Sequence, residues 1–199
     1  MKKSLFVLAF GALFTATASA NFYVQGDLGY SKLKSEDVSK SKFSPSFAVG
    51  YKFNDFRLAL DYTHYGKMSR TDIEQVTLPG QNPQQPNVVS GPEKYSLKVQ
   101  SIGLSALYDF NFLSPFKPYV GVRLSQNHFK STLDFSAPGY SEYRSTTANK
   151  FGYGLLAGAH YPLAKALSLN AGIEYNRLGN IDGAKVKQYG AKVGLRYDF

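Results

Sequence analysis

The stretch FSPSFAVGYKFNDFRLALDYTHY, residues 43–65, decides the fold. Apolar residues take every second position on both sides of Asn54-Asp55: Phe47, Val49, Tyr51 and Phe53 before it, and Phe56, Leu58, Leu60 and Tyr62 after it. A period of two is typical of a β-strand with one apolar face. A two-residue link is the commonest connection between antiparallel strands. The stretch therefore predicts a β-hairpin.

The same alternation recurs along the rest of the chain and predicts an all-β protein. The strands are expected at residues 22–32, 45–53, 56–65, 95–110, 118–129, 151–161, 167–177 and 188–199. The fourth strand changes phase, because its apolar residues are odd-numbered up to Val99 and even-numbered from Ile102. Either a bulge near Gln100-Ser101 or a strand that protrudes above a membrane would explain this change.

The alternation fits either a soluble β-sandwich or a barrel with its apolar face toward lipid. The polar faces are rich in Gly, Ser and Ala, as expected for a crowded interior, and the apolar faces end in Tyr or Phe. Aromatic girdles and strands of about ten residues are typical of outer-membrane barrels. Because unpaired backbone groups are costly in lipid, the sheet must close. We expect an eight-stranded antiparallel transmembrane β-barrel.

The connections between the strands alternate in length. Short links are found at Asn54-Asp55, 111–117 and 162–166. Between them lie four longer polar segments: 33–44, 66–94, 130–150 and 178–187. Short periplasmic turns and longer extracellular loops are the rule for such barrels, so both termini are expected on the periplasmic side.

The first 20 residues predict an export signal. Lys2 and Lys3 precede an apolar stretch of about ten residues, and small residues lead to Ala18 and Ala20 at the expected cleavage site. A membrane anchor is the alternative, but the stretch is too short for a spanning helix. The domains are therefore a signal peptide at 1–20 and a barrel at 21–199, in a bacterial outer membrane.

Composition excludes several classes of function. Without cysteine, the chain has no disulfide, no thiolate nucleophile and no Cys-ligated metal site. The formal net charge of +9 would suit nucleic acid, but export makes that partner improbable. Aromatic residues make up 15% of the chain, which excludes general disorder.

Long stretches of the chain resemble the opacity (Opa/NspA) family of outer-membrane proteins. The similar stretches are 43–65, SIGLSALYDF (101–110), SPFKPYVGVRLS (114–125), GYGLLAGAHYPLAKALSLNAGIEYNRLG (152–179) and YGAKVGLRYDF (189–199). The resemblance implies an eight-stranded barrel in a Gram-negative outer membrane, with exposed loops that bind a host receptor, a glycan or a complement regulator. It favours an adhesin or host-factor-binding protein. A structural or porin-like protein without a host ligand is the alternative.

The polar faces place nine charged residues in the predicted interior. They are Asp27, Arg57, Asp61, Asp109, Arg123, Glu174, Lys192, Arg196 and Asp198. Five acids and four bases nearly balance, as a filled interior requires, because unpaired buried charges are costly. An ion pathway is the alternative, but an eight-stranded barrel is just wide enough for side chains to fill it.

The sequence does not predict an enzyme or a cofactor. The related lipid deacylases carry Ser two residues after a His, and none of His64, His128 and His160 has this neighbour. No spacing of metal ligands or phosphate-binding glycines is found.

The long connections are the candidate recognition surfaces. Segment 66–94 carries prolines at 79, 83, 86 and 92, which predict a mobile loop without regular strand pairing through its middle. Its apolar contact residues are Ile73, Val76, Leu78, Val88 and Val89. The other long connections carry a basic excess, which suits either the phosphates of lipopolysaccharide or sulfated and sialylated host glycans.

The last strand predicts an assembly signal. Val193, Leu195, Tyr197 and Phe199 alternate and end on a terminal aromatic residue. This pattern resembles the signal that the outer-membrane assembly machinery recognises, and strand addition to an exposed edge is the physical basis for such pairing. A simple last strand is compatible with the same pattern.

Overall fold

The computed structural model describes residues 21–35, 38–78, 87–112, 115–138, 140–181 and 184–199. They form eight strands: β1 (Phe22–Ser35), β2 (Val38–Phe53), β3 (Phe56–Leu78), β4 (Asn87–Asp109), β5 (Lys117–Ala137), β6 (Tyr140–Pro162), β7 (Leu167–Ile181) and β8 (Ala184–Asp198). Each strand pairs antiparallel with the next, and β8 pairs with β1, so that the sheet closes. In the described ranges no helix is long and apolar enough to cross a bilayer.

The closing ladder runs from Tyr23 opposite Asp198 to Lys34 opposite Lys187. Beyond it, the Phe199 N–H donates to the Phe22 carbonyl (3.0 Å). The connections at this end are short, and in the first of them Asn54 adopts a positive φ of 53° that lets the hairpin turn. The predicted eight-stranded antiparallel barrel is confirmed.

The long connections are mostly strands, and in this respect the prediction of loops is wrong. β3 and β4 remain paired as far as Leu78 opposite Asn87, and β5 and β6 as far as Ala137 opposite Tyr140. The hydrogen bonds between the two strands of a hairpin join backbone groups only. The pairing can therefore continue past the point where apolar and polar side chains stop alternating. Pro79, Pro83 and Pro86 lie outside the described residues. Pro92 is accommodated in β4, opposite Ile73, where the ladder to β5 has just ended at Glu93.

Above the barrel the sheet opens on two sides. The ladder between β2 and β3 ends at Ser46 opposite Thr63, next to Pro45, which has no N–H to donate. The ladder between β6 and β7 ends at Tyr153 opposite Arg177. Strands β3 to β6 therefore continue outward together as one sheet, separated from the shorter hairpins of β1–β2 and β7–β8.

Two bulges mark the outer rim. The register shifts between His64 and Gly66 on β3, and between Arg177 and Gly179 on β7. The bulged residues, Tyr65 and Leu178, are fully buried. The bulge predicted near Gln100-Ser101 is present in the β3–β4 ladder, where His64 lies opposite Gln100 and Gly66 opposite Val99, but its extra residue is on β3. Because β4 itself runs without a shift against β5, its phase change is explained by the protruding strand.

Side-chain polarity inverts at this rim. Below it, apolar residues such as Leu60, Leu104 and Leu124 point outward and are more than half exposed. Above it, apolar residues turn inward and form a buried cluster: Leu33, Tyr65, Val99, Phe129, Leu178 and Val186. The phase change of the fourth strand is this inversion, because Val99 joins the inner cluster whereas Ile102 lies on the outer face.

Replacing Gly179 by Ala should destabilise the barrel by about 1–3 kcal/mol. Gly179 has a φ of +138°, and a Cβ there would lie 2.5 Å from Lys150 Cβ. Gly26→Ala is the matched control, because a Cβ at Gly26 meets nothing within 4 Å. Urea unfolding of the two variants in lipid vesicles, followed by circular dichroism, gives the comparison. Equal stability of both variants would show that the bulge tolerates a side chain.

Candidate functional site

Two arginines on the inner wall form buried ion pairs with acids of other strands: Arg57 of β3 pairs with Asp109 of β4, and Arg123 of β5 reaches across β4 to Asp61 of β3. Arg57 Nη2 and Nε donate to Asp109 Oδ1 at 2.7 and 2.9 Å. Arg123 donates to both oxygens of Asp61, at 2.5 Å from Nη2 to Oδ2 and 3.0 Å from Nε to Oδ1. Bidentate geometry of this kind gives strong, charge-assisted hydrogen bonds. Each predicted interior arginine on these strands therefore has its own carboxylate.

A lysine on β8 pairs with two further acids. Lys192 Nζ lies 3.8 Å from Asp27 and 3.7 Å from Glu174. Arg196 pairs with Asp198 on the same strand, through a 2.9 Å bond from Nε to Oδ1. The nine charged residues predicted inside the barrel thus fall into four local groups, and each acid in them has a cation.

Neutral amides complete this network, and the sequence analysis missed them. Asn170 Nδ2 and Gln25 Nε2 each donate to Asp27 at 2.8 Å. Gln188 Nε2 donates to Glu174 at 2.7 Å and to Ser31 at 2.8 Å. They occupy polar positions of the alternating strands, so the period of two also indicates that their side chains point inward. Because they carry no charge, the charge pattern alone does not mark them.

The Arg123–Asp61 pair and the group around Lys192 lie between two apolar layers, whereas Arg57 and Arg196 pack on the aromatic rings of the inner layer. The outer layer is the apolar cluster at the rim. The inner layer, near the short turns, contains Tyr23, Ala59, Leu107, Tyr119 and Leu156, and Arg57 lies over the Tyr119 ring at 5.0 Å. Between the layers is a polar cavity of about 40 Å³, which is enough for water but not for an open channel.

The three histidines have separate environments. His160 is buried and stacks on Tyr119, with ring centroids 4.8 Å apart. On the outer face, His128 Nδ1 hydrogen-bonds Asn149 Oδ1 at 2.7 Å, and His64 is half-buried. Among the residues that the structure describes, no three His, Asp or Glu side chains are placed to hold a metal ion.

The outer parts of β3 and β4 form the recognition ribbon, defined as residues 67–78 and 87–98. Twelve residue pairs join its two strands, so it extends roughly 35–40 Å beyond the rim bulge. Two of the predicted contact residues, Ile73 and Val88, are 81% and 49% exposed. Val89 is half-buried, and the side chains of Val76 and Leu78 lie outside the described part of the structure.

The tip of the neighbouring β5–β6 hairpin is tied by side chains. Phe135 and Tyr140 pack with ring centroids 5.9 Å apart. The Tyr140 hydroxyl donates to Glu142 Oε2 at 3.1 Å, and this hydrogen bond raises the pKa of the phenol. Tyr143, by contrast, is 66% exposed. The outer part of this hairpin therefore presents an exposed aromatic residue beside the packed Phe135 and Tyr140.

A lateral groove opens where β6 and β7 separate. Its volume is about 400 Å³, and its lining residues are Lys150, Phe151, Tyr153, Arg177, Gly179 and Asn180. Arg177 donates to the Tyr153 hydroxyl at 3.3 Å and to Asn180 Oδ1 at 3.4 Å. Cations, aromatic rings and an amide in one open groove suit an anionic or sugar-like ligand.

The residues of the predicted assembly signal lie on the outer face of β8. Val193, Leu195 and Tyr197 are about half exposed, at 52%, 49% and 46%. Tyr197 and Phe199 pack edge to face with centroids 5.2 Å apart. The predicted cleavage residues, Ala18 and Ala20, lie outside the described residues.

The comparisons with known proteins agree with this architecture. The family model for the Opacity family porin protein matches residues 49–199. The protein named opa of Haemophilus influenzae is 39% identical over 151 residues, which cover 76% of this chain and all of that protein. Opacity protein opA50 of Neisseria gonorrhoeae is 30% identical over 227 residues, covering 89% and 96% of the two chains. The crystal structure of Neisserial surface protein A superposes with a TM-score of 0.64 at 32% identity, covering 89% of this chain and 97% of that one.

Replacing Arg57 by Met should destabilise the barrel by about 3–5 kcal/mol, because it leaves Asp109 buried and unpaired. The two side chains are only 2% and 6% exposed. Arg70→Met is the control, since the Arg70–Asp72 pair is largely exposed and should contribute about 1 kcal/mol or less. Urea titration in vesicles measures both variants. If the two lost the same stability, the interior pair would not be a main support of the fold.

Proposed function

Because this chain belongs to the opacity family of outer-membrane β-barrels, we propose that it acts as an adhesin or host-factor-binding protein through its extracellular strands and turns. The barrel lies in a bacterial outer membrane, like the other members of its family. Its named relatives include opacity proteins of Neisseria gonorrhoeae. The partner in this proposal is a host receptor, a glycan or a complement regulator.

The recognition ribbon is the observation that carries the proposal. A barrel needs only enough strand to cross the bilayer, yet β3 and β4 each run for 23 residues. The excess projects outward and carries exposed apolar residues, of which Ile73 is the most exposed among those whose side chains the structure describes. Apolar side chains held far from lipid in an extended ribbon are typical of a contact surface for another molecule.

The filled interior favours this proposal over a diffusion pore. The two apolar layers and the charged groups of the interior leave a cavity of only about 40 Å³. In the described part of the chain, His160 stacks on Tyr119 and His128 hydrogen-bonds Asn149, so neither contact is that of a base with a nucleophile. A role in binding is therefore proposed, with a structural barrel that lacks a host ligand as the alternative tested below.

Three expectations from the sequence accompany this proposal. Residues 1–20 direct export and are cleaved after Ala20. The assembly machinery pairs with β8 through the strand that ends at Phe199. Lipopolysaccharide of the outer leaflet surrounds the exposed rim.

Shortening the recognition ribbon should abolish adhesion to human epithelial cells, because it removes the projecting contact surface. Asp72 and Glu93 are directly opposite each other, so residues 73–92 can be replaced by Asn-Gly, which closes a two-residue hairpin in the same register. Adhesion of otherwise identical bacteria is counted at matched surface levels of the two proteins.

The control shortens the neighbouring hairpin in the same way. Asp134 and Tyr143 are opposite each other, so Asn-Gly replaces residues 135–142. Retained adhesion in this control and loss in the first variant would assign recognition to the ribbon. Unchanged adhesion without the ribbon would refute that assignment, and absence of adhesion by the unaltered protein would favour the structural alternative.

Removing Phe199 should lower the amount of assembled barrel at the cell surface several-fold. The residue closes the β1–β8 seam through its backbone and packs against Tyr197. Phe199→Tyr is the control, because it keeps an aromatic terminus. Heat-modifiable gel migration separates assembled from unassembled protein. Normal assembly without Phe199 would contradict its role in the signal.

A further inference from the structure

Three lysines stand side by side on the outer face of the barrel, just above the rim. The register places Lys67 of β3 opposite Lys98 of β4, and Lys98 opposite Lys130 of β5. Directly opposed residues have Cβ atoms about 5 Å apart. All three lysines are exposed. Lys42 of β2 extends the row, because its Cβ lies 3.7 Å from the position of a Cβ on Gly66.

This row has no compensating acid within the described part of the chain. None of the ion pairs that involve described residues includes Lys67, Lys98 or Lys130. None of their neighbours two positions along β4 and β5 is an acid: these are Ser96, Gln100, His128 and Thr132. Asp134, the next acid outward on β5, lies opposite another cation, Lys94. Like charges directly opposite each other destabilise a sheet. An anion bound to the row would relieve this repulsion.

A second row has the same form on the other side of the barrel. Lys34 of β1 lies opposite Lys187 of β8, and Lys187 lies opposite Arg177 of β7. The next pair toward the membrane consists of Tyr189 and Tyr175, whose rings are 5.0 Å apart. The two cationic triplets, Lys67–Lys98–Lys130 and Lys34–Lys187–Arg177, therefore lie on opposite sides of the barrel at the level of the rim bulges.

From the first triplet toward the membrane, the outward-facing side chains change in the same order as the parts of a lipid, from charged to polar to apolar. The adjacent row toward the membrane contains His64, Gln100 and His128, which hydrogen-bond without charge in their neutral forms. Gln100 Nε2 donates to the hydroxyl of Tyr62 at 2.7 Å. Beneath this row lie Tyr62 and Ile102, both exposed on the apolar band. From outside to inside, the order is cations, polar groups and apolar surface.

We propose that these two triplets bind the phosphates of a phosphorylated glycolipid in the outer leaflet, of the lipid A type. The lysines would take the phosphates, the polar row the sugar hydroxyls, and the apolar band the acyl chains. The triplets point sideways into the leaflet rather than up into the mouth of the barrel, which favours a lipid over a soluble glycan. This inference depends on the outer-membrane location and is independent of adhesion.

Titration with purified lipid A tests the proposal on the full barrel in detergent. Two variants remove one triplet each: K67Q/K98Q/K130Q and K34Q/R177Q/K187Q. The control K94Q/K117Q/K165Q removes the same charge from three exposed lysines outside the triplets. Native mass spectrometry measures bound lipid, and circular dichroism measures Tm with and without lipid. Folding of every variant is checked by heat-modifiable gel migration.

In each triplet variant the altered site should bind bisphosphorylated lipid A on the order of a hundredfold more weakly, from about fivefold per basic residue. Because the other triplet is intact, native mass spectrometry should find one tightly bound lipid where the unaltered protein has two. The control should bind like the unaltered protein, and dephosphorylated lipid A should not distinguish the four proteins. Without lipid, the triplet variants should keep or gain Tm, because cross-strand repulsion is removed. The proposal fails if the control loses as much affinity as the triplet variants, or if dephosphorylated lipid A binds equally well. It also fails if sucrose octasulfate, a soluble polyanion, binds the triplets in preference to the lipid.

Discussion

The hydrogen-bond ladder between β1 and β8 converts an eight-stranded sheet into a barrel without an edge. In hydrocarbon, each unpaired backbone group would cost several kcal/mol, so the strands can cross the membrane only when Tyr23 to Lys34 lie against Lys187 to Asp198. Closure also fixes the side-chain directions, because residues alternate between lipid and interior on every strand. The apolar outer band and the charged interior both follow from this one condition.

The small circumference determines what the interior can do. Eight strands leave room for side chains and little else, and the inward charges must neutralise one another locally. Arg57 with Asp109 and Arg123 with Asp61 do so through short, multiple hydrogen bonds. Apolar clusters lie near both ends of this network, at the rim and near the short turns. A barrel filled in this way leaves its outer surface and its extracellular strands for the contacts proposed above.

The rim is where the environment of the chain changes from lipid to water, and the structure responds in two ways. The bulges at Gly66 and Gly179 turn Tyr65 and Leu178 inward, so that the inner face becomes apolar. The outer face becomes basic at the same level. Above the rim the sheet no longer needs to close, because water satisfies its edges, and the ladders at Ser46 and Tyr153 end there. Because the sheet is open above the rim, β3 to β6 continue outward as a separate sheet and a groove forms beside Arg177.

The sequence by itself determined the barrel, because a period of two, girdles of Tyr and Phe and alternating connection lengths are local properties of the chain. It also predicted nine inward-facing charges, since each lies on the polar face of an alternating strand. It did not reveal that residues 67–78 and 87–94 are paired strands, because backbone pairing continues after the apolar alternation has ended. Only the tertiary structure decided which charge meets which, and which lysines stand side by side. Lys67, Lys98 and Lys130 are about 30 residues apart along the chain, and a register between strands is needed to bring them into one row.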